Sequence, residues 1–176
     1  MLDKKLLKAK IELMTRSVFL STINLSVKHI ITDMVATAGT DCRQIMYNPD
    51  FCKNLTIIEL TGLMAHECWH IAFMHKPRQG TRNHVLWNKA ADYVINNMLL
   101  DSGYTLPPGG LADKAYIDMS TEQVYDELLA NNESQEEYEL LDLLDTEGNA
   151  EEATEEIKNI LVKAVTQSKI AGKAAG

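Results

Sequence analysis

The sequence predicts an α+β fold, mostly helical, with a small β-hairpin or sheet placed just before a buried central helix. Three observations carry this. Apolar residues recur at three- and four-residue spacing over most of the chain. That period is interrupted once, from Met34 to Asn48, by two short runs with strand character. Directly afterwards, Thr56-x-x-Glu59 forms a capping box ahead of a segment that is apolar almost all round, which marks a helix at the centre of a fold.

The elements follow in order. Residues 3–15 read as a helix, with Leu6, Leu7, Ala9, Ile11, Leu13 and Met14 set among lysines. Residues 17–34 continue in helical style through Leu20, Ile23, Val27, Ile30 and Ile31, so two helices are expected before any strand. Residues 34–41 and 43–48 then read as two strands around a Thr40-Asp41-Cys42 turn, the second ended by Asn48-Pro49-Asp50. The capped helix is expected to run to about Met74 or His75 and to stop at Lys76-Pro77, because the residue before proline is pushed out of the helical region. A polar loop follows, then a helix over 86–100 closed near Gly103, and a loop through Leu106-Pro107-Pro108-Gly109-Gly110-Leu111. Ser120-x-x-Gln123 caps a short helix with Val124, Tyr125, Leu128 and Leu129. After a break at Thr146 to Asn149, Ile157, Ile160, Leu161, Ala164 and Val165 form one stripe of a last helix. This divides the chain into a domain over 1–130, an acidic segment and linker over 131–150, and a C-terminal amphipathic helix over 151–176.

Composition bounds the function. Of 176 residues, 45% are hydrophobic and only 6% aromatic, so the core rests on aliphatic side chains and methionine. The net charge of -8 disfavours binding to a phosphate backbone, and no nucleic-acid partner is expected. The charge is uneven. Fifteen of the 25 acidic residues lie between Ala115 and Ile157, where there is no Lys or Arg. Such a run reads as a solvated face or linker, or as an acidic docking tail. The three cysteines form no CxxC pair and fit reduced thiols in a cytoplasm. No apolar stretch suits a signal peptide or a bilayer span, and no membrane partner is expected.

The chemistry concentrates in His66-Glu67-Cys68-Trp69-His70. Four residues apart on a helix, the two histidines stand one turn apart and about 40° around, so both imidazoles can reach one zinc ion. Glu67 lies about 100° from His66 and suits a general base that takes a proton from a metal-activated water. Two histidines and a carboxylate on an apolar helix are costly to bury without such a partner. Zinc wants a third protein ligand and an open fourth position. His75, about 140° around from His70, cannot share that ion on a regular helix and suits a C-terminal helix cap. Asp92, in an otherwise apolar helix flanked by Ala90 and Ala91, is the leading candidate, either as a ligand or as an acceptor for one of the histidines. His84 is the alternative ligand. Asn88 and Asn96 share the Asp92 face. Cys68 points away and reads as a small buried hydrophobe. Tyr93, Tyr104, Tyr116 and His84 are candidates for stabilising an oxyanion, and the sequence does not choose among them.

In this order, Thr40-Asp41, Tyr47-Asn48-Pro49, Leu63-x-Ala65-His66-Glu67-x-x-His70, His75, Arg78, Trp87-Asn88-x-Ala90-Ala91-Asp92-Tyr93-x-Ile95-Asn96, Leu106-Pro107 and Glu122-x-x-Tyr125-Asp126 resemble the metallopeptidase domain that precedes a von Willebrand factor A-like domain in bacterial and phage proteins. The resemblance covers roughly residues 31–129. It implies a zincin-like fold over 1–130 and a zinc-dependent peptidase, with His66, His70 and Asp92 holding one zinc ion and Glu67 catalytic. It also implies that Gln44 to Asn48 is an edge strand offering its backbone to an extended peptide. A cytoplasmic setting is implied too, with an AAA-type ATPase or a von Willebrand factor A-like domain as partner. One departure is Cys42, where the family places a glycine after the Thr-Asp pair. The alternative function is a non-catalytic zinc-binding module that holds a partner protein through its groove or its acidic segment.

Overall fold

The computed structural model describes residues 2–131, 143–144 and 150–174. Most of the expected acidic segment and the break at Thr146 to Asn149 lie outside the described residues. Eight α-helices and three strands are described: α1 (Leu2–Arg16), α2 (Val18–Ser26), β1 (Lys28–Ile31), β2 (Ala38–Thr40), β3 (Gln44–Tyr47), α3 (Pro49–Cys52), α4 (Ile57–Ala72), α5 (His75–Gln79), α6 (His84–Asp101), α7 (Thr121–Ala130) and α8 (Ala150–Ala174). The fold is α+β and mostly helical, as the periodicity predicts.

The sheet differs from expectation in two ways. Residues 17–34 are not one helix: α2 ends at Ser26, and Lys28–Ile31 forms a strand. Ser17 caps α2, its side chain accepting from the Leu20 backbone N–H. The strand order is β1-β3-β2, with β3 parallel to β1 and antiparallel to β2. Gln44–Tyr47 is therefore the central strand and not the edge. Ile45 and Tyr47 are both fully buried, the alternation that a central strand shows on one packed face. The strand beside α4 is β2, whose three residues are all buried.

The β2–β3 turn shows what the cysteine at position 42 must adopt in place of a glycine. Asp41 Oδ1 accepts from the backbone N–H groups of Arg43 and Gln44, both at 2.9 Å, which holds the chain in a tight reversal. Cys42 sits at φ 71°, in the left-handed region that favours glycine. The turn keeps its shape at a strain on the order of 1 kcal/mol.

Around the sheet, α4 is the hub. It packs against α1, α2, α6 and β2, and eleven of its sixteen residues are buried. The capping box is formed: Thr56 accepts from the Glu59 N–H, and the Glu59 carboxylate accepts from the Thr56 N–H at 2.7 Å. A Cβ on Gly62 would lie 2.0 Å from the Thr105 carbonyl oxygen, so only glycine lets the chain after α6 cross α4 this closely. The helix ends earlier than expected. Met74, at φ 53°, turns the chain, and Pro77 lies inside the first turn of α5 instead of terminating α4.

Candidate metal site

Two helices facing each other build the site. α4 carries His66 and His70, and α6 carries Asn88, Asp92 and Asn96, each set on one face by four-residue spacing. Ala90 and Ala91 are fully buried, and such small side chains leave room for the two helices to approach. Three donor atoms converge between them. His66 Nε2 lies 2.9 Å from His70 Nε2, and Asp92 Oδ1 lies 3.6 Å from the first and 3.3 Å from the second. All three side chains are buried, and among the described residues this is the one such group that could hold a metal ion.

The donor set fits a cation. Asp92 Oδ1 is buried and accepts no hydrogen bond, while Asp92 Oδ2 accepts from Asn88 Nδ2 at 3.0 Å. Two imidazole nitrogens and one carboxylate oxygen are ordinary zinc donors, and tetrahedral bonds of ~2.0–2.1 Å would space neighbouring donors by about 3.4 Å. The observed spacings bracket that value.

The surroundings fix which nitrogen carries each proton. Asn96 Nδ2 donates to the Leu111 carbonyl at 2.8 Å, which turns its Oδ1 toward His66 Nδ1, also at 2.8 Å. An amide oxygen only accepts, so His66 carries its proton on Nδ1 and presents a lone pair at Nε2. Behind His70, His75 Nδ1 lies 3.1 Å from His70 Nδ1, and His75 Nε2 lies 3.0 Å from Thr121 Oγ1. With His70 Nε2 as a ligand, its Nδ1–H donates to His75, and His75 Nε2–H donates to Thr121.

Protonation follows burial. Burial holds His70 below the usual imidazole value, against the pull of Asp92, and His75 lies well below it for the same cause. Both are therefore neutral, the form in which imidazole binds a metal. Burial pushes the Asp92 carboxyl up, but the facing His66 and His70 together outweigh it, and the net direction is down.

His75 is thus no cationic helix cap. It is buried at the start of α5, wedged behind His70, and its carbonyl accepts from Trp87 Nε1 at 2.8 Å. Two more contacts brace this wall: Arg78 pairs with Glu122 at 2.6 Å, and the Tyr125 hydroxyl accepts from the Asn83 N–H at 3.1 Å.

Glu67 is fully buried on the sheet side of α4, where its charge adds to the raised values of Cys42, Tyr47 and Cys52, each pushed up mainly by burial. Cys68 faces α2: its Sγ accepts from Asn24 Nδ2 at 3.6 Å, and burial pushes its thiol up to about 12. His84 opens α6 beside Gln79, about 12 Å of helix away from Asp92. Tyr93 packs on Tyr116 and Tyr104 lies under Arg16, so neither pairing belongs to the metal-site pocket. That pocket opens over His66 and Asp92 between Thr37, Phe51, Leu63 and the 106–111 loop. Thr37 and Phe51 were not singled out in the sequence; Thr37 comes from the residue before β2, the strand that flanks α4, and Phe51 from the short helix α3.

Residues 2–176 match the family described as "Putative metallopeptidase domain". The chain belongs to this family. No curated protein and no solved structure matches it. The family's description implies a metal ion, and the His66, His70 and Asp92 group is a site that could hold one. Among the described residues, no helix is long and apolar enough to cross a membrane.

Proposed function

We propose that this member of the metallopeptidase family is a zinc-dependent peptidase of zincin-like architecture, with His66, His70 and Asp92 as ligands and Glu67 as general base. The observation that carries the reading is the convergence of His66 Nε2, His70 Nε2 and the otherwise unbonded Asp92 Oδ1 within 4.8 Å, beneath a pocket. A zinc ion, when bound, supplies Lewis acidity that makes water acidic enough to lose a proton near neutral pH. The chain supplies the rest. Asn96 and the His75–Thr121 pair hold the imidazoles in the tautomers a metal needs. Glu67, one residue after His66, accepts the proton of the attacking water and delivers it to the leaving amine nitrogen. Burial of these groups strengthens each electrostatic contact among them. The three free cysteines are all buried, which fits a reducing compartment.

The test is elemental analysis of the purified protein combined with Glu67→Gln assayed on a broad peptide library. One zinc per chain in both forms, with cleavage by the wild type alone, is the expected result. Equal inertness of zinc-loaded wild type and variant would leave a zinc-binding interaction module. Failure of zinc to bind would end both readings.

A further inference from the structure

The outer side of β1 is the opposite edge of the sheet from β2, the strand that flanks α4. Its hydrogen bonding follows from the parallel register with β3. Lys28 N–H donates to the Arg43 carbonyl at 3.3 Å, and Thr32 N–H donates to the Tyr47 carbonyl at 3.0 Å. In a parallel ladder, alternate residues turn both backbone groups toward one neighbour. Lys28, Ile30 and Thr32 therefore face β3, and His29 and Ile31 turn their N–H and C=O groups outward. Among the described residues, no backbone group bonds to these outward groups.

This edge carries little of the usual protection against pairing with another strand. Ile30 is 37% exposed, Ile31 40% and Met34 84%, and the strand's charge is confined to Lys28 at its start. Asp33 follows just past its end and is also exposed. The pattern is self-complementary. The outward groups lie symmetrically on either side of Ile30. A second β1, running antiparallel about a two-fold axis at Ile30, therefore sets each His29 opposite the other copy's Ile31. Each such pair exchanges two backbone hydrogen bonds. The same register brings each Lys28 to the Thr32–Asp33 end of the other strand and keeps the two lysines at opposite ends. A parallel pairing would set lysine beside lysine.

We propose that β1 is a homodimerisation edge: two copies of this chain pair β1 to β1 in antiparallel, with the two-fold axis at Ile30. Across the axis Ile30 meets Ile30 as a non-hydrogen-bonded pair, with Cα atoms about 4.5 Å apart. Met46, the half-buried ladder partner of Ile30, extends this apolar strip on both copies. An isologous contact of this kind uses up the edge and closes at two copies. The pocket over His66 and Asp92 lies at the other edge, beside β2, so the dimer does not draw on the metal ligands.

Sedimentation equilibrium of the full chain is the test, with the wild type expected to be a dimer at about 100 μM and to grow no further. Ile31→Pro removes only an outward N–H, a change that an edge strand tolerates. It deletes one bond from each copy and should raise the dissociation constant by about 10- to 100-fold. Ile30→Lys sets like charges against each other at the axis and should weaken the dimer at least as much, with every N–H retained. It replaces the proline variant if that one loses its helical circular dichroism. Cysteine substitution reads the register, since the native thiols are all buried. Oxidised Ile30→Cys should run as a disulfide-linked dimer in denaturing electrophoresis, because the Cα spacing at the axis suits the bond. Met34→Cys, although more exposed, should not, because the two copies of residue 34 lie far apart along the paired strands. A monomeric wild type at that concentration overturns the proposal, as does association that continues past two. So does a dimer unmoved by Ile30→Lys, or cross-linking of Met34→Cys equal to that of Ile30→Cys.

Discussion

Asn96 shows how a residue that touches no metal can still decide whether one binds. Its amide is oriented by the Leu111 carbonyl, and that orientation places the His66 proton on Nδ1. Replacing Asn96 with Ala frees the imidazole to change tautomer and to rotate. Zinc affinity, measured by chelator competition, should fall by about 10- to 100-fold with the fold intact. Asn96→Asp should recover much of the loss, because a carboxylate still accepts from Nδ1–H. Away from the site, His29 makes a pH prediction. Its Nε2–H donates to the Asn24 carbonyl at 2.7 Å, and its Nδ1 lies 3.2 Å from the Tyr47 hydroxyl. Burial lowers its pKa, so the folded state resists a proton that the unfolded chain accepts. Stability is therefore full above the unfolded value near 6.5 and is lost as pH falls through the folded value. Urea midpoints between pH 7.5 and 5.5 should decline less steeply in His29→Gln than in wild type. At this scale the sequence was most legible where spacing alone creates proximity, as with His66, His70 and the Asn88–Asp92–Asn96 face. His75 was misread because its partners, His70 and Thr121, meet it only through a break at Met74 and a helix 46 residues away.

Helices with strong caps and long periods were readable from sequence; short elements defined by their neighbours were not. Val27, Ile30 and Ile31 keep three- and four-residue spacing and so extend a helical pattern, yet residues 28–31 pair in parallel with β3 across a gap of sixteen positions. Parallel pairing is a non-local decision that four residues cannot announce. The edge position that the family resemblance implies for Gln44 to Asn48 fails at the same point, because β1 is a strand and pairs with the other side of β3. Gly62 offers the sharpest test of element packing. Gly62→Ala sets a methyl carbon against the Thr105 carbonyl oxygen, which forces α4 and the chain after α6 apart. A loss of about 1–3 kcal/mol in urea denaturation is expected, although alanine is the better helix former. Because the 106–111 loop follows Thr105 directly and supplies the acceptor for Asn96, zinc affinity should weaken in the same variant.

The whole molecule raises the question of whether α8 is an appendage or part of the fold. Its sequence shows a stripe that needs a partner, and the partner is α2. Ala153, Ile157 and Ala164 are buried, and Glu156 pairs with Arg43 in the β2–β3 turn at 2.7 Å. That ion pair is exposed and screened by solvent, so the joint rests on apolar burial. Through α2, α8 is coupled to α1 and α4, and hence to the helix that carries both histidines. Trp69 on α4 and Trp87 on α6 report on that region by fluorescence, whereas far-ultraviolet circular dichroism is weighted by all helices, including the 25 residues of α8. Ile157→Ala should cost about 2–5 kcal/mol, as for other buried aliphatic truncations. If α8 is integral, thermal transitions by the two probes coincide and shift down together in the variant. An appended helix would behave differently: the variant would lose circular dichroism early while the tryptophan transition stayed where the wild type has it.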